Sequence, residues 1–286
     1  MALTEPLFEA DLDRRFGGLA RLYGVAGARR IREAHIIVVG IGGVGSWAAE
    51  AAARSGVARL TLVDLDHIAE SNINRQIHAL DGTLGQSKVK AMQERIAQIN
   101  PHCQVVGVEE FVDPDNWPSV IGWDASWDRA HIAVIDACDQ VKAKTAMAAW
   151  AIRQKVNFVS IGAAGGKQLA HRVDVEDLAD VTHDPLLAQL RYRLRKEHGG
   201  ARKGRMGVTC VFSREPVLQP AKAAAPAELP DASTCEQSPA SDGTLNCHGY
   251  GSVVSVTATF GMCATGWALS KIASQVCEAS QNDAII

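Results

Sequence analysis

The strongest constraint on the fold lies in residues 34–64, where the apolar run AHIIVVG passes directly into IGGVGS, then a small-residue helical stretch, then LTLVD. A β-branched run without polar interruption suits a parallel strand buried on both faces. Gly40, Gly42 and Gly45, with Gly43 between them, fit G-x-G-x-x-G at the junction of that strand with a helix, which is where the pattern has structural meaning. The unit predicts a strand, a tight loop, a crossover helix and a parallel second strand. The same alternation continues downstream. Residues 86–99 form a helix with Val89, Met92, Ile96 and Ile99 on one face. Strands are expected at 104–108, 132–136 and 157–161, a helix at 142–153, and an irregular Trp-rich loop at 113–130. Such alternation requires an α/β fold built on a doubly wound, mostly parallel Rossmann-like sheet.

The flanks are less regular. Residues 11–34 read as a basic amphipathic helix, with Leu12, Phe16, Leu19, Leu22 and Ile31 on its apolar side. After residue 161 come a GAAGGK turn, a strand at 168–175 and a basic helix at 185–198. A Pro- and Ala-rich stretch then reads as an exposed linker. The expected organisation is an N-terminal helical segment (1–34), a nucleotide-binding core (35–162), an extension (163–215), a Pro/Ala-rich loop (216–246) and a C-terminal helical segment (247–286). Residues 249–270 carry no charge and are long enough to span a bilayer. They are rich in Gly, Ser and Thr and poor in Leu and Ile, so a buried helix or subunit interface is favoured over a membrane span.

With 286 residues, 47% hydrophobic and 21% charged, the chain can bury a full core. A net charge of −3 excludes a polycation and leaves only local basic patches for nucleic acid. The first residues carry acids and lack the apolar core of a signal peptide, so a cytoplasmic protein is expected. Seven cysteines occur with no CxxC pair, as expected of reduced thiols and not of a disulfide framework or structural zinc.

Side-chain-free glycines let the backbone approach a phosphate, and the first turn of the following helix supplies partial positive charge. Asp64, at the end of the second strand, is placed to accept ribose hydroxyls. NAD and ATP both satisfy that much. Asp66, Asn72, Arg75 and Gln76 follow in one polar loop, and Lys88 opens the next helix. Two cations and an amide suit a triphosphate better than a dinucleotide, although a solvated basic loop is the simpler alternative. Asp136 and Asp139, after the fourth strand, suit a magnesium ion bridging phosphate oxygens, while Asp139 is equally placed to cap the helix that follows.

GxGGVGS, the strand-end Asp64, NxxRQ, the Lys of GxxK, RIxxINP at 95–101 and VxDxxD together resemble the ubiquitin-activating and sulfur-carrier adenylyltransferase superfamily. RRFGGLARLYG at 14–24, NRQIHAL at 74–80, the GAAGGK turn, KGRMGVTCVFSREP at 203–216 and VTATFG at 256–261 resemble one branch, the tRNA threonylcarbamoyladenosine dehydratases. The resemblance implies ATP-dependent cyclisation of N6-threonylcarbamoyladenosine at position 37 of tRNA. A carrier-protein adenylyltransferase is the alternative, weakened by the lack of paired CxxC. It further implies a homodimer, Mg²⁺ and a possible sulfur-transfer partner. By that resemblance Gly42, Asp64, Arg75, Lys88 and Asp139 inherit nucleotide and Mg²⁺ contacts, with Asp139 on the metal, and Gly40, Gly43, Gly45, Asp66, Asn72 and Gln76 join the expected nucleotide site from the reading of the loops. Arg75, Lys88 and Asp139 inherit catalytic roles. Where carrier-activating relatives use an N-terminal arginine of the partner subunit, Gly18 stands here, with Arg15 and Arg21 nearby.

In that reaction the threonyl carboxylate attacks the α-phosphate, pyrophosphate leaves, and the tethered carbamoyl group closes a five-membered ring and expels AMP. Tethering gives high effective concentration, so no enzyme thiol is required, although Cys247 beside His248 is a conceivable covalent relay. For the tRNA, Arg191, Arg195, Arg202, Lys203 and Arg205 form a basic run suited to phosphates, with a plain solvated surface as the alternative.

Overall fold

A computed structural model of the protein describes residues 10–218 and 250–275. Its strands are His35–Val39 (β1), Arg59–Val63 (β2), Gln104–Val108 (β3), Ile132–Asp136 (β4), Asn157–Ile161 (β5), Val173–Asp177 (β6) and Thr209–Ser213 (β7). They form one sheet in the order β3-β2-β1-β4-β5-β7-β6. Every neighbouring pair is parallel except β6 with β7. The helices are Leu12–Phe16 (α1), Leu19–Arg32 (α2), Gly45–Arg54 (α3), Lys88–Ile99 (α4), Val141–Gln154 (α5), Pro185–Glu197 (α6) and Val254–Ser274 (α7).

Alternating strand residues feed two cores, because successive side chains leave opposite faces of a sheet. Ile36, Val38, Leu60 and Leu62 pack with α3, α4 and α7. Ile37, Val39, Val134 and Phe212 pack with α5, α6 and the Trp-rich loop. That loop is anchored edge to face, with Trp150 against both Trp117 and Trp123.

The strands expected at 104–108, 132–136 and 157–161 form there. The helix expected from 86 starts at Lys88 because the Ser87 side chain accepts the Lys90 N–H and caps it. The strand expected at 168–175 is instead β6 at 173–177, preceded by a short 3-10 turn at 170–172. The amides of Gln168 and Leu169 donate to the Glu215 carboxylate, which takes them out of any ladder. The predicted N-terminal helix breaks at Gly24, which has φ 73°. Residues 173–213 extend the same sheet through β6 and β7. Most of the Pro/Ala-rich stretch, and Cys247 with it, lies outside the described residues.

Most of the uncharged C-terminal stretch lies in α7, whose 21 residues run on through Lys271 and pack along α3 and α2. A Cβ on Gly261 would lie 2.5 Å from the Val44 carbonyl oxygen and 2.8 Å from the Ala48 nitrogen, and Thr265 Oγ1 donates to the Ala48 carbonyl at 2.9 Å. Its small residues therefore serve close helix contact. Among the described residues no helix is long and apolar enough to cross a membrane.

Candidate active site

Strand order reverses at β1, which has β2 on one side and β4 on the other. Ligand crevices of open α/β sheets form at the carboxyl ends of strands at such a point. Here a cleft opens there. Gly40, Gly42, Gly43, Asp64, Asp66, Arg75, Lys88 and Asp139, all singled out from the sequence, line it.

The glycines divide by task. Gly40 has φ 86°, and a Cβ there would sit 2.9 Å from the Ala137 carbonyl oxygen. A Cβ on Gly45 would overlap the Gly40 carbonyl oxygen, so Gly45 packs the loop and does not itself line the cleft. At Gly42 a Cβ would meet nothing within 4 Å. The protein's own packing does not demand glycine at that cleft-lining position, so the missing side chain leaves room for a ligand.

Asp64 is buried. Its Oδ2 accepts the Ile41 N–H at 2.6 Å and its Oδ1 the Asp66 N–H at 2.9 Å, which braces the glycine loop. Burial raises its pKa, with Lys88 and the two amides pulling the other way. Lys88 reaches the cleft already paired, 2.6 Å from Asp66 and 3.7 Å from Asp64. Arg75 lays its stem against Gly43 and donates to the Ser71 carbonyl at 2.6 Å and to Asn74 Oδ1 at 2.8 Å.

Other candidates fall elsewhere. Asn72 turns away from the cleft and accepts the Ala69 N–H at 3.1 Å, closing its own 3-10 turn. Gln76 is buried outside the cleft lining, with its Oε1 unpartnered among the described residues. Asp136 is sealed under the cleft: Lys144 Nζ donates to it at 3.0 Å and Ser160 Oγ at 2.6 Å, so it is no free metal ligand. Asp139 keeps its carboxylate at the cleft without an ion pair or hydrogen bond among the described residues, and α5 begins after Gln140, so Asp139 is not its cap.

The proposed basic face also divides. Arg191 Nη1 donates to the carbonyls of Leu178 and Val181 at 3.1 and 2.9 Å, and Arg195 Nε to that of Ala201 at 3.0 Å. Both are occupied in shaping the α6 neighbourhood. Arg202, Lys203 and Arg205 are exposed.

Sequence reasoning missed Lys144, which carries no motif and whose burial emerges only when β4, β5 and α5 meet. It also missed the distal wall of the cleft, formed by Ala163, Ala164, Gly165, Tyr250, Ser252 and Thr257. Cys138 lines the cleft too, but its thiol donates to Asp136 at 3.0 Å, and burial together with that carboxylate pushes its pKa well up. It is held as an unreactive thiol.

Fold and cleft together define a nucleotide-binding protein of one class: the family described as the ThiF family matches residues 14–280, and the chain belongs to it. Within that class the chain is similar to the tRNA threonylcarbamoyladenosine dehydratase of Escherichia coli (strain K12), with 44% identity over 264 residues covering 91% of this chain and 93% of the relative. The solved structure of the E. coli dehydratase in complex with ATP matches with TM-score 0.76 and 42% identity, covering 91% of this chain and 94% of that one. The same protein has been solved in complex with AMP. The molybdopterin-synthase adenylyltransferase of Salmonella typhimurium (strain LT2) is 34% identical over 146 residues, 51% of this chain and 55% of the relative.

Proposed function

We propose that this chain catalyses the ATP-dependent dehydration of N6-threonylcarbamoyladenosine at position 37 of tRNA to its cyclic form, through an acyl-adenylate. The observation that carries this reading is a single cleft joining an open glycine floor and Asp64 to a second, uncharged wall, in a chain similar over nearly its whole length to a dehydratase solved with ATP. Carrier-protein activation is the weaker reading, since similarity to an adenylyltransferase of that kind covers about half of this chain.

ATP lies with its ribose at Asp64 and its phosphates over Gly42 and the first turn of α3. Arg75 and Lys88 meet the charge that develops as pyrophosphate departs. A Mg²⁺ ion fits this site only as a guest of substrate phosphates: Asp139 offers one unpaired carboxylate, and the described residues contain no cluster of three or more ligands. When bound, the ion would neutralise phosphate charge. Gly40, Gly45 and the bracing of Ile41 by Asp64 keep the phosphate-facing loop fixed. The carbamoyl group supplies the second nucleophile, so Cys247 is not required. A homodimer, cytoplasmic location and docking of a sulfur-transfer protein belong to the same proposal.

The test is ATP–pyrophosphate exchange with tRNA bearing the modified base, followed by mass spectrometry of the tRNA nucleosides. Exchange and a mass loss of one water are expected. Exchange only with a carrier protein ending in Gly-Gly would overturn the reading in favour of the carrier alternative.

A further inference from the structure

The wall opposite the glycine loop is a turn, residues 162–167, held from behind by buried charge. Gly162 packs directly on Asp184, whose Oδ2 accepts the Ala163 N–H at 2.8 Å; a Cβ at 162 would overlap that carboxylate. Lys167, 2% exposed, sends its ammonium to the carbonyls of His183 and Glu215. Lys144 donates to the Ile161 carbonyl at 2.7 Å and so ties the start of this turn to the end of β4. Gly166, with φ 71°, donates to the Gly251 carbonyl at 2.9 Å.

The turn is thus over-determined, yet three of its amides are left over among the described residues, two of them in residues that line the cleft. The N–H groups of Gly162, Ala163 and Gly166 all have acceptors, whereas those of Ala164, Gly165 and Lys167 have none among the described residues, and of these three residues only Ala164 and Gly165 line the cleft. Ala164 is 8% exposed, and both residues line the cleft. A buried amide without an acceptor is costly, so a rigid turn that keeps one at a ligand cleft points to an acceptor brought by the ligand. Successive backbone N–H groups form concave anion sites. The two cationic side chains lining the cleft stand at its glycine-loop end, Arg75 against Gly43 and Lys88 paired with Asp64 and Asp66.

We propose that the Ala164 and Gly165 amides form the oxyanion site for the ring-closing half of the reaction. The assignment rests on the function proposed above. In ring closure the carbamoyl group attacks the carbonyl carbon of the acyl-adenylate, and that carbonyl oxygen takes on negative charge. When the tetrahedral species collapses, the carbon–oxygen bond to AMP breaks, AMP leaves with the electron pair and the carbamoyl proton passes to water. The developing charge lies on the carbonyl oxygen, whose carbon is joined to the AMP phosphate through one oxygen, and the Ala164 and Gly165 amides are cleft donors without a protein acceptor among the described residues to meet it.

Replacing residue 164, and separately residue 165, by the corresponding α-hydroxy acid exchanges one N–H for an ester oxygen with little change of shape. ATP–pyrophosphate exchange with modified tRNA should stay within about threefold of wild type. Cyclic nucleoside formation in a single turnover should fall about 10²-fold, the usual cost of one oxyanion donor. Ring closure at the wild-type rate in both folded variants would overturn the proposal. So would equal loss of exchange and closure, since that places the amides in the first step. If the unsubstituted protein shows no exchange with modified tRNA, the functional reading itself fails, a distinct outcome.

Discussion

Asp136 and Lys144 form an ion pair of 3.0 Å with neither side chain exposed, directly beneath the turn that carries Asp139 toward the cleft. Burial opposes the charge on Lys144, but Asp136 and the acceptors around it leave the lysine pKa above its ordinary value. Removing one member of a buried pair strands the other without a partner, at a cost of about 3 to 5 kcal/mol. Lys144→Met is therefore expected to lower the unfolding free energy by that amount in urea titrations, and Lys144→Met with Asp136→Asn to recover a large part of it. Equal destabilisation in the single and double variants would show that the pairing contributes nothing.

Asp139 and Asp64 should separate chemistry from binding. Asp139 has no ion-pair or hydrogen-bond partner among the described residues, so Asp139→Ala should fold normally and keep ATP affinity. Adenylate formation should fall by two orders of magnitude or more, about 3 kcal/mol of transition-state stabilisation. Asp64→Ala removes the brace on Ile41 as well as the ribose interaction, and its main effect should be on ATP affinity, measured by calorimetry. Wild-type turnover in Asp139→Ala, or wild-type affinity in Asp64→Ala, would refute the corresponding role.

The parts legible in the sequence were those that local pattern decides. Ile36, Ile37, Val38 and Val39 can only be a doubly buried strand in this setting, and the glycine run after them fixes the turn and crossover. Asp64 and Asp139 enter the cleft because chain direction at the strand ends brings them there, and Asp66, Arg75 and Lys88 reach it from the loop and helix start that follow Asp64. Asn72 and Gln76 shared the right loop, but a 3-10 turn rotates the first outward and burial takes the second. Arg191 and Arg195 looked like surface charge because nothing local reveals the carbonyls of Leu178, Val181 and Ala201 that they hold. Ala164 and Gly165 carry no side-chain chemistry at all, so their position depends wholly on tertiary packing.

Two buried histidines give the fold a pH dependence. His35, which shares a hydrogen bond of 2.8 Å with Thr61, and His78, whose ring nitrogens have no partner among the described residues, both have pKa values lowered from 6.5 to about 4, chiefly by burial. The folded state keeps them neutral while the unfolded chain takes up protons near 6.5. Stability is therefore full above that value and is lost as pH falls toward 4, with a slope of about 1.4 kcal/mol per pH unit for each group. His78→Leu should remove one such slope between those values without loss of stability at neutral pH, because its ring gives up no hydrogen bond among the described residues. Equilibrium unfolding at several pH values checks this; an unchanged slope would mean His78 titrates normally.

The chain carries a net charge of −3, so the proposed hold on tRNA calls for a local basic surface, and we propose the loop after α6 for it. It is a fixed loop: Asp177 accepts the N–H groups of Met206 and Gly207 at 2.7 and 2.8 Å, and Arg195 holds the Ala201 carbonyl from the helix. Between those anchors Arg202, Lys203 and Arg205 are exposed, and among the described residues only Arg205 is near an acid, 3.8 Å from Asp177. Cations so displayed match phosphates, and each phosphate left without its cation should reduce the log–log salt slope of binding by roughly 0.7 to 0.9. Arg202→Glu, Lys203→Glu and Arg205→Glu together are expected to weaken tRNA binding and flatten its salt dependence while ATP affinity stays near wild type. Arg195→Met should weaken tRNA binding with a smaller change in slope, since its guanidinium shapes the loop and does not meet phosphate. Filter binding across a salt series reads both quantities. Unchanged affinity and slope in the folded triple variant would move the tRNA surface to another face, with the N-terminal arginines Arg14, Arg15 and Arg21 next to be reversed.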